Sequence, residues 1–167
     1  MKTKFGVLLA ILVLAMVGCA SKPSHPDAKE GWYPNIVDYA FVAEHAVIPK
    51  RSDVEVIDSR PKARKYDQEH IPGAISIPEM SFDKMTDQLP ADKSTLLIFY
   101  CGGTDCMLSH KSAFKAEELG YTNVKVYADG MPDWIKKGGL IGIDVAYLKK
   151  LIDTGEKMLL IDSRPKA

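Results

Sequence analysis

The chain has 167 residues, of which 46% are hydrophobic and 26% are charged, a composition typical of a globular protein with room for one domain and additional segments. Its 22 basic and 22 acidic residues balance without a long block of either sign, which argues against a nucleic-acid surface. Small molecules or other proteins are the expected partners.

The N-terminal residues have the pattern of a secretory signal. A basic start, MKTK, precedes an apolar run that ends at Val17, and Gly18 and Cys19 follow. The run is too short for a transmembrane helix, which needs about 20 apolar residues. A small residue before a cysteine at this point resembles a bacterial lipoprotein box, which implies a signal peptide over residues 1–18 and lipid attachment to Cys19. The alternatives are an uncut anchor and an ordinary signal peptide.

This interpretation places the mature protein in the cell envelope, attached to a membrane by its lipid. Ala20 rather than Asp follows the lipid cysteine, which favours the periplasmic side of the outer membrane over the inner membrane. An exported protein works in an oxidising compartment, so Cys101 and Cys106 are candidates for disulfide formation.

Residues 19–35 are rich in Pro, Ser, Lys and Gly and are interpreted as a tether. Short β-branched runs then alternate with helical stretches. Strands are predicted at residues 54–58, 74–78, 95–100 and 124–128, and helices at roughly 38–45, 61–68, 81–89 and 108–119. Apolar strands separated by helices predict an α/β domain over residues 36–140, with a mainly parallel sheet covered on both faces.

One segment of the chain occurs twice. VIDSRPKA at residues 56–63 returns as LIDSRPKA at 160–167, and the residues before the two copies are also similar. A repeat at this distance indicates a duplicated domain, because solenoid units are about 20–50 residues long. Residues 141–167 are therefore predicted to begin a second, incomplete domain, in which KMLLID is an exposed apolar strand.

Cys101 follows the third predicted strand, at the carboxyl end where ligands gather in parallel sheets. Gly102 and Gly103 allow backbone N–H groups to turn inward around one point. Those N–H groups and the positive end of the next helix stabilise an anion and lower the pKa of a thiol. The pattern predicts a nucleophilic thiolate in an anion cradle, although the position alone fits a buried structural cysteine equally well.

Four segments of the chain resemble a rhodanese (sulfurtransferase) domain: VIDSRPKARKYDQEHIPGAISIP, LLIFYCGG, HKSAFKAEELGYTNVKVY and DGMPDW. The resemblance covers roughly residues 36–138 and implies a doubly wound α/β fold, with Cys101 accepting a sulfane sulfur as a persulfide. It implies that Asp58 and Arg60 brace the site. The implied substrate-binding loop is formed by Gly102, Gly103, Thr104, Asp105 and Cys106.

The same resemblance defines the expected reaction partners. A small donor such as thiosulfate, a polysulfide or a protein persulfide supplies the sulfur, and a thiol or cyanide accepts it. No metal or organic cofactor is required. A protein partner in a sulfur relay is compatible with this chemistry.

The loop departs from the commonest rhodanese pattern, since many such loops carry a basic residue and this one contains Asp105. An inward-pointing Asp105 would oppose thiolate formation and thiosulfate binding, so we expect Asp105 or Thr104 to cap the following helix from outside. Thiosulfate is then a poor donor. Phosphatase-like relatives of the fold are disfavoured, because they need an arginine at the end of the loop.

Cys106 leaves several interpretations open. It forms a disulfide with Cys101 in a dithiol redox protein, it attacks a persulfide on Cys101 and releases sulfide, or it packs against the helix without a chemical role. A metal site with His110 is disfavoured, because it supplies only three ligands without a paired C-x2-C motif. A persulfide carrier that does not turn over is the remaining alternative to an enzyme. His70, before a turn signal, is expected to be structural.

Overall fold

The computed structural model describes residues 25–161, and a four-stranded parallel sheet forms its centre. The predicted signal peptide, Cys19 and the last part of the repeat lie outside the described residues. The strand order is β2-β1-β3-β4. The strands are β1 (Val54–Asp58), β2 (Ile75–Ser76), β3 (Leu96–Tyr100) and β4 (Val124–Tyr127).

Helices cover both faces of this sheet. The helices are α1 (Tyr39–His45), α2 (Leu108–Glu118), α3 (Gly130–Lys136) and α4 (Val145–Asp153). Along β3, Leu97 packs in one apolar cluster with Ala113 of α2, and Ile98 packs in the other with Trp134 of α3. Successive strand residues point to opposite faces, so β3, which is buried on both sides, is apolar throughout. The predicted α/β fold is confirmed.

The central strands follow the prediction, whereas two predicted helices are shorter. Residues 61–68 form one π-helical turn, Lys62–Tyr66, and residues 81–89 form two 3-10 turns, Glu79–Lys84 and Thr86–Gln88. Phe82 is the one buried residue within those two 3-10 turns, so the segment lacks the apolar stripe that holds an amphipathic helix against a sheet. Helix α3 was not predicted.

The described part of the predicted tether packs against the domain. Trp32 and Tyr33 are 7% and 2% exposed, and burial of each aromatic side chain contributes on the order of 2 kcal/mol. Trp32 and Tyr33 thus pack with the domain, and the tether stays a prediction for the remaining residues. Pro and Gly frequency does not reveal burial, which depends here on two aromatic side chains.

The C-terminal segment contacts the domain where it begins. Gly142 and His70 exchange two backbone hydrogen bonds, of 2.8 and 2.9 Å. Helix α4 starts at an Asp144 cap, as α1 starts at an Asp38 cap, but residues 157–161 form no strand and Leu159 is 83% exposed. The second domain stays a prediction. Within residues 25–161, no helix combines the length and the apolar character needed to cross a membrane.

Candidate active site

Cys101 lies directly after β3, at the carboxyl end of the sheet, and its side chain is fully buried. Its Sγ donates a hydrogen bond to the carbonyl oxygen of Cys106 at 3.1 Å and accepts one from Ser109 Oγ at 3.1 Å. Strand β3 has paired strands on both sides, so its last residue is held firmly. The thiol is thus fixed between the loop that follows it and the first turn of α2.

The cysteine loop, residues 101–107, turns back on itself through Gly103. This glycine is buried with a φ of +107°, a conformation that side chains with a Cβ rarely adopt. Its carbonyl accepts the N–H of Cys106 at 2.9 Å. Gly102 is exposed and lies outside the left-handed region, so the glycine requirement holds for Gly103 and not for Gly102.

The thiols of Cys101 and Cys106 interact, and the charge of the pair rests on Cys106. A hydrogen bond from Cys101 lowers the pKa of Cys106 to about 6, with help from the N–H groups of Gly102 and Leu108. The pKa of Cys101 is raised by its hydrogen bond with Cys106 and by burial. In this arrangement the N–H groups of Gly102 and Leu108 act on Cys106 and not on Cys101, and the lowered pKa of Cys101 stays a prediction.

The first N–H groups of helix α2, those of Leu108 and Ser109, interact with the two thiols. Met107 is at its N-cap position and makes no side-chain capping hydrogen bond, so the predicted cap by Thr104 or Asp105 is absent. Asp105 points outward instead, where Lys29 Nζ lies 2.5 Å from its Oδ1. The negative side chain is thereby removed from the thiols, and the positive end of α2 stays open to them.

Asp58 and Arg60 form a buried ion pair beside the same edge of the sheet. Arg60 Nε and Nη2 donate to the two carboxylate oxygens at 3.0 and 2.8 Å, and Nη2 also donates to the Glu69 carbonyl at 2.6 Å. The guanidinium lies 5.7 Å from the ring centre of Tyr100, and its charge further lowers the pKa of Cys106. The ion pair has the geometry of a structural support. Its effect on the pKa of Cys106 was not expected from the sequence.

Gly130 supports the cysteine loop from behind, a role that the sequence analysis missed. Its φ is +59°, and a Cβ at this position would lie 2.3 Å from the Cys101 carbonyl oxygen and 2.8 Å from Gly103 N. The next residue, Met131, donates its N–H to the same carbonyl at 3.0 Å. The glycine in DGMPDW was the available signal, since close backbone approach requires this residue type.

The two histidines considered from the sequence have structural contacts. His110 is fully buried, accepts the N–H of Tyr33 at 3.0 Å and stacks on Trp32 at 4.6 Å. Burial lowers the pKa of His110 to about 4, so it carries no charge for an anionic donor. His70 Nδ1 lies 2.8 Å from the Tyr66 carbonyl oxygen. In the part of the chain that is described, no cluster of three or more His, Cys, Asp or Glu side chains is arranged to hold a metal.

Two surface depressions flank the cysteine loop. One, of about 380 Å³, lies between the end of β1 and the start of α2 and is lined by Ser59, Pro61, Lys62, Pro78, Glu79, Met80, Ser81 and Leu108. The other, of about 340 Å³, lies on the outer side of the loop and is lined by Gly102, Gly103, Thr104, Asp105, Asp129, Pro132, Asp133 and Lys136. Three of the outer residues are carboxylates and one is a lysine, which disfavours an anionic donor there.

Comparison with known proteins agrees with this architecture. The model of the rhodanese-like domain matches residues 42–137. The thiosulfate:glutathione sulfurtransferase of Saccharomyces cerevisiae is 29% identical over 121 residues, which cover 63% of this chain and 82% of that protein. A rhodanese domain-containing protein of Drosophila melanogaster is 28% identical over 104 residues, covering 56% of this chain and 92% of that protein.

A solved structure provides a comparison in three dimensions. The crystal structure of the BH2092 protein of Bacillus halodurans superimposes with a TM-score of 0.58 at 30% identity, covering 65% of this chain and 77% of that one.

Proposed function

Because the chain belongs to the rhodanese-like domain family, a sulfurtransferase-type function follows at the level of the family, and we propose that Cys101 carries the transferred sulfur as a persulfide. One observation carries the proposal: Cys101 is held at the carboxyl end of the central strand, between a glycine loop and the open N-terminus of α2. That arrangement stabilises a sulfur anion through backbone N–H groups and the helix dipole.

In the proposed reaction, Cys101 Sγ attacks the outer sulfur of the donor. Cys106 holds the negative charge of the resting pair, so it takes the proton of Cys101 as the new S–S bond forms. The bond within the donor breaks, and its leaving group departs with the electron pair. Ser109, which donates to Cys101 Sγ at 3.1 Å, continues to stabilise that sulfur. A thiol or cyanide then attacks the outer sulfur, and Cys101 leaves as a thiolate that takes its proton back from Cys106.

The charges around the loop favour an uncharged or weakly charged donor over thiosulfate. The residues that directly follow Cys101 include exposed Asp105 and no basic side chain, and buried His110 is neutral. Arg60 supplies a positive charge, but Asp58 neutralises it at 2.8 Å. The depression between β1 and α2 is partly apolar, which suits a neutral organic polysulfide.

The test is Cys101-dependent sulfur transfer to cyanide, compared between the wild-type chain and Cys101→Ser. We expect thiocyanate from a polysulfide at a higher rate than from thiosulfate, and neither from the variant. If sulfur loads onto Cys101 without turnover, the protein is a persulfide carrier instead of an enzyme. If Cys101 takes up no sulfur from any sulfane donor, the proposal is wrong.

We propose in addition that the protein works at a membrane of the cell envelope, attached through a lipid on Cys19. The N-terminal residue pattern supports this proposal. Fractionation of cells that produce the wild-type chain or Cys19→Ser provides the test. The wild-type protein is expected in the membrane fraction and the variant outside it, and an equal distribution of the two would contradict the lipid anchor.

A further inference from the structure

Two thiols lie in the cysteine loop, whereas persulfide transfer needs only one to carry sulfur. Cys101 and Cys106 are both free. The carbonyl oxygen of Cys106 lies 3.1 Å from Cys101 Sγ, because the hydrogen bond from Cys106 N to the Gly103 carbonyl folds the loop back. The side chains of the two residues also interact directly. The second thiol is thus beside the sulfur atom that would bear the persulfide.

Cys106 is the more accessible of the two thiols, since it is half-buried whereas Cys101 is fully buried. It is also the thiol that is ionised at neutral pH, because its pKa is lowered to about 6. A thiol attacks fastest when its pKa lies near the ambient pH. A cysteine that only packs against its neighbours needs neither partial exposure nor ionisation. Cys106 has both, and it lies beside Cys101.

We propose that Cys106 attacks the persulfide on Cys101, releasing sulfide and leaving a Cys101–Cys106 disulfide. This inference rests on the proposed function, because it requires sulfur on Cys101. It adds a second activity to sulfur transfer: reductive release of sulfide from a sulfane donor.

The atoms and electrons balance without an external oxidant. The proton that Cys106 took up during sulfur loading passes to the outer sulfur of the persulfide anion. The Cys106 thiolate so formed bonds to Cys101 Sγ, and the bond from that Sγ to the outer sulfur breaks. The outer sulfur leaves with the bonding electrons as hydrosulfide, so it is reduced to sulfide while the two cysteines are oxidised to a disulfide. A dithiol reductant, a co-substrate of the proposed cycle, then restores both thiols by thiol–disulfide exchange and is itself oxidised to a disulfide.

The loop geometry also explains how the two outcomes compete. When a thiol or cyanide acceptor is abundant, it removes the outer sulfur before Cys106 attacks, and the product is the acceptor bearing that sulfur. When acceptors are scarce, attack by Cys106 is intramolecular and gains from proximity. The protein then converts sulfane sulfur into sulfide at a rate set by reduction of its disulfide.

The experiment is a single turnover without reductant. The reduced protein is mixed with a polysulfide, excess donor is removed, and released sulfide is measured together with the mass of the tryptic peptide spanning residues 94–111. This peptide contains both loop cysteines but not Cys19. The wild-type peptide is expected to lose two hydrogens as one equivalent of sulfide appears. With Cys106→Ser the peptide gains one sulfur, sulfide falls by about tenfold or more, and transfer to cyanide continues.

The controls separate this inference from the proposed function. Cys106→Ala repeats the test with a different side chain, and exposed Ser52→Ala must behave like the wild type. A wild-type peptide that keeps its extra sulfur and still supplies cyanide overturns the resolving role alone. Equal sulfide release from Cys106→Ser also overturns it. Absence of sulfur uptake on Cys101 in both proteins overturns the persulfide proposal and the inference together.

Discussion

Replacement of Gly130 by alanine tests whether α3 holds the cysteine loop in place. The added Cβ would lie 2.3 Å from the Cys101 carbonyl oxygen and 3.0 Å from its carbonyl carbon. To reach an ordinary contact distance, the loop backbone must retreat by roughly 1 Å. The neighbouring atoms belong to backbone rather than to flexible side chains, so the displacement moves Cys101 itself.

Two effects are expected to lower the free energy of unfolding of Gly130→Ala. A φ of +59° is unfavourable for alanine by about 1–2 kcal/mol, and overpacking against fixed atoms adds about 1–3 kcal/mol. We therefore expect Gly130→Ala to lower the free energy of unfolding by about 2–5 kcal/mol. Because a misplacement of about 1 Å at a reacting group costs about 100-fold in rate, Cys101-dependent sulfur transfer should fall by a similar factor.

Gly120→Ala is the matched control. Gly120 has a φ of +89°, yet a Cβ there meets no atom within 4 Å. The free energy of unfolding of this variant should fall only by the cost of the backbone conformation, about 1–2 kcal/mol, and its sulfur transfer should be unchanged. Urea unfolding and thiocyanate production measure the two effects separately. If Gly130→Ala matches Gly120→Ala in both measurements, the contact between Gly130 and the loop does not position Cys101.

The thiol pair, the buried ion pair and the buried imidazole each lead to a separate prediction. Cys101→Ala removes the hydrogen bond to Cys106, so the pKa of Cys106 rises from about 6, and its alkylation by iodoacetamide at pH 7 slows by about tenfold; an unchanged rate would show that Cys101 does not stabilise this thiolate. Asp58→Ala leaves the buried guanidinium of Arg60 with one carboxylate, that of Glu69 at 3.2 Å, and should cost about 3 kcal/mol of stability, whereas Asp53→Ala, in an exposed pair, should cost much less; equal losses in urea unfolding would contradict this reasoning. His110 has a pKa of about 4 in the folded chain against 6.5 ordinarily, so below pH 6.5 the unfolded chain binds a proton that the folded chain does not. Stability therefore falls by on the order of 2 kcal/mol between pH 6.5 and pH 4, and the pH profile of His110→Gln should lack this part of the decrease.

Much of the fold could be predicted because its signals are local. The strand around Ile98 is an uninterrupted apolar run, and the strand around Val56 is apolar except for Glu55 and its last residue, Asp58, a pattern typical of a sheet covered on both faces. Helix α2 was recognisable from small apolar residues such as Ala113 and Ala116 at regular spacing, with Gly120 following shortly after its last residue, Glu118.

Elements that depend on distant contacts were missed or misjudged. Residues 25–35 have a tether-like composition, but Trp32 finds a stacking partner in His110, whose sequence position is far away. Helix α3 is short and begins with a glycine in a left-handed conformation, and its stability comes from packing of Met131 and Trp134. Such contacts exist only after the chain has folded, so no local pattern reveals them.

The sequence by itself determined the parallel α/β architecture and the position of Cys101 at the end of a central strand, because the hydrophobic pattern and the alternation of strands and helices along the chain depend on neighbouring residues. Only the tertiary structure decided which thiol of the loop carries the charge. Ionisation of Cys106 depends on N–H groups from Gly102 and Leu108, on the thiol of Cys101 and on the guanidinium of Arg60. Electrostatic energy depends on distances through space, and the fold brings Arg60, from beyond a different strand, to the loop that follows β3.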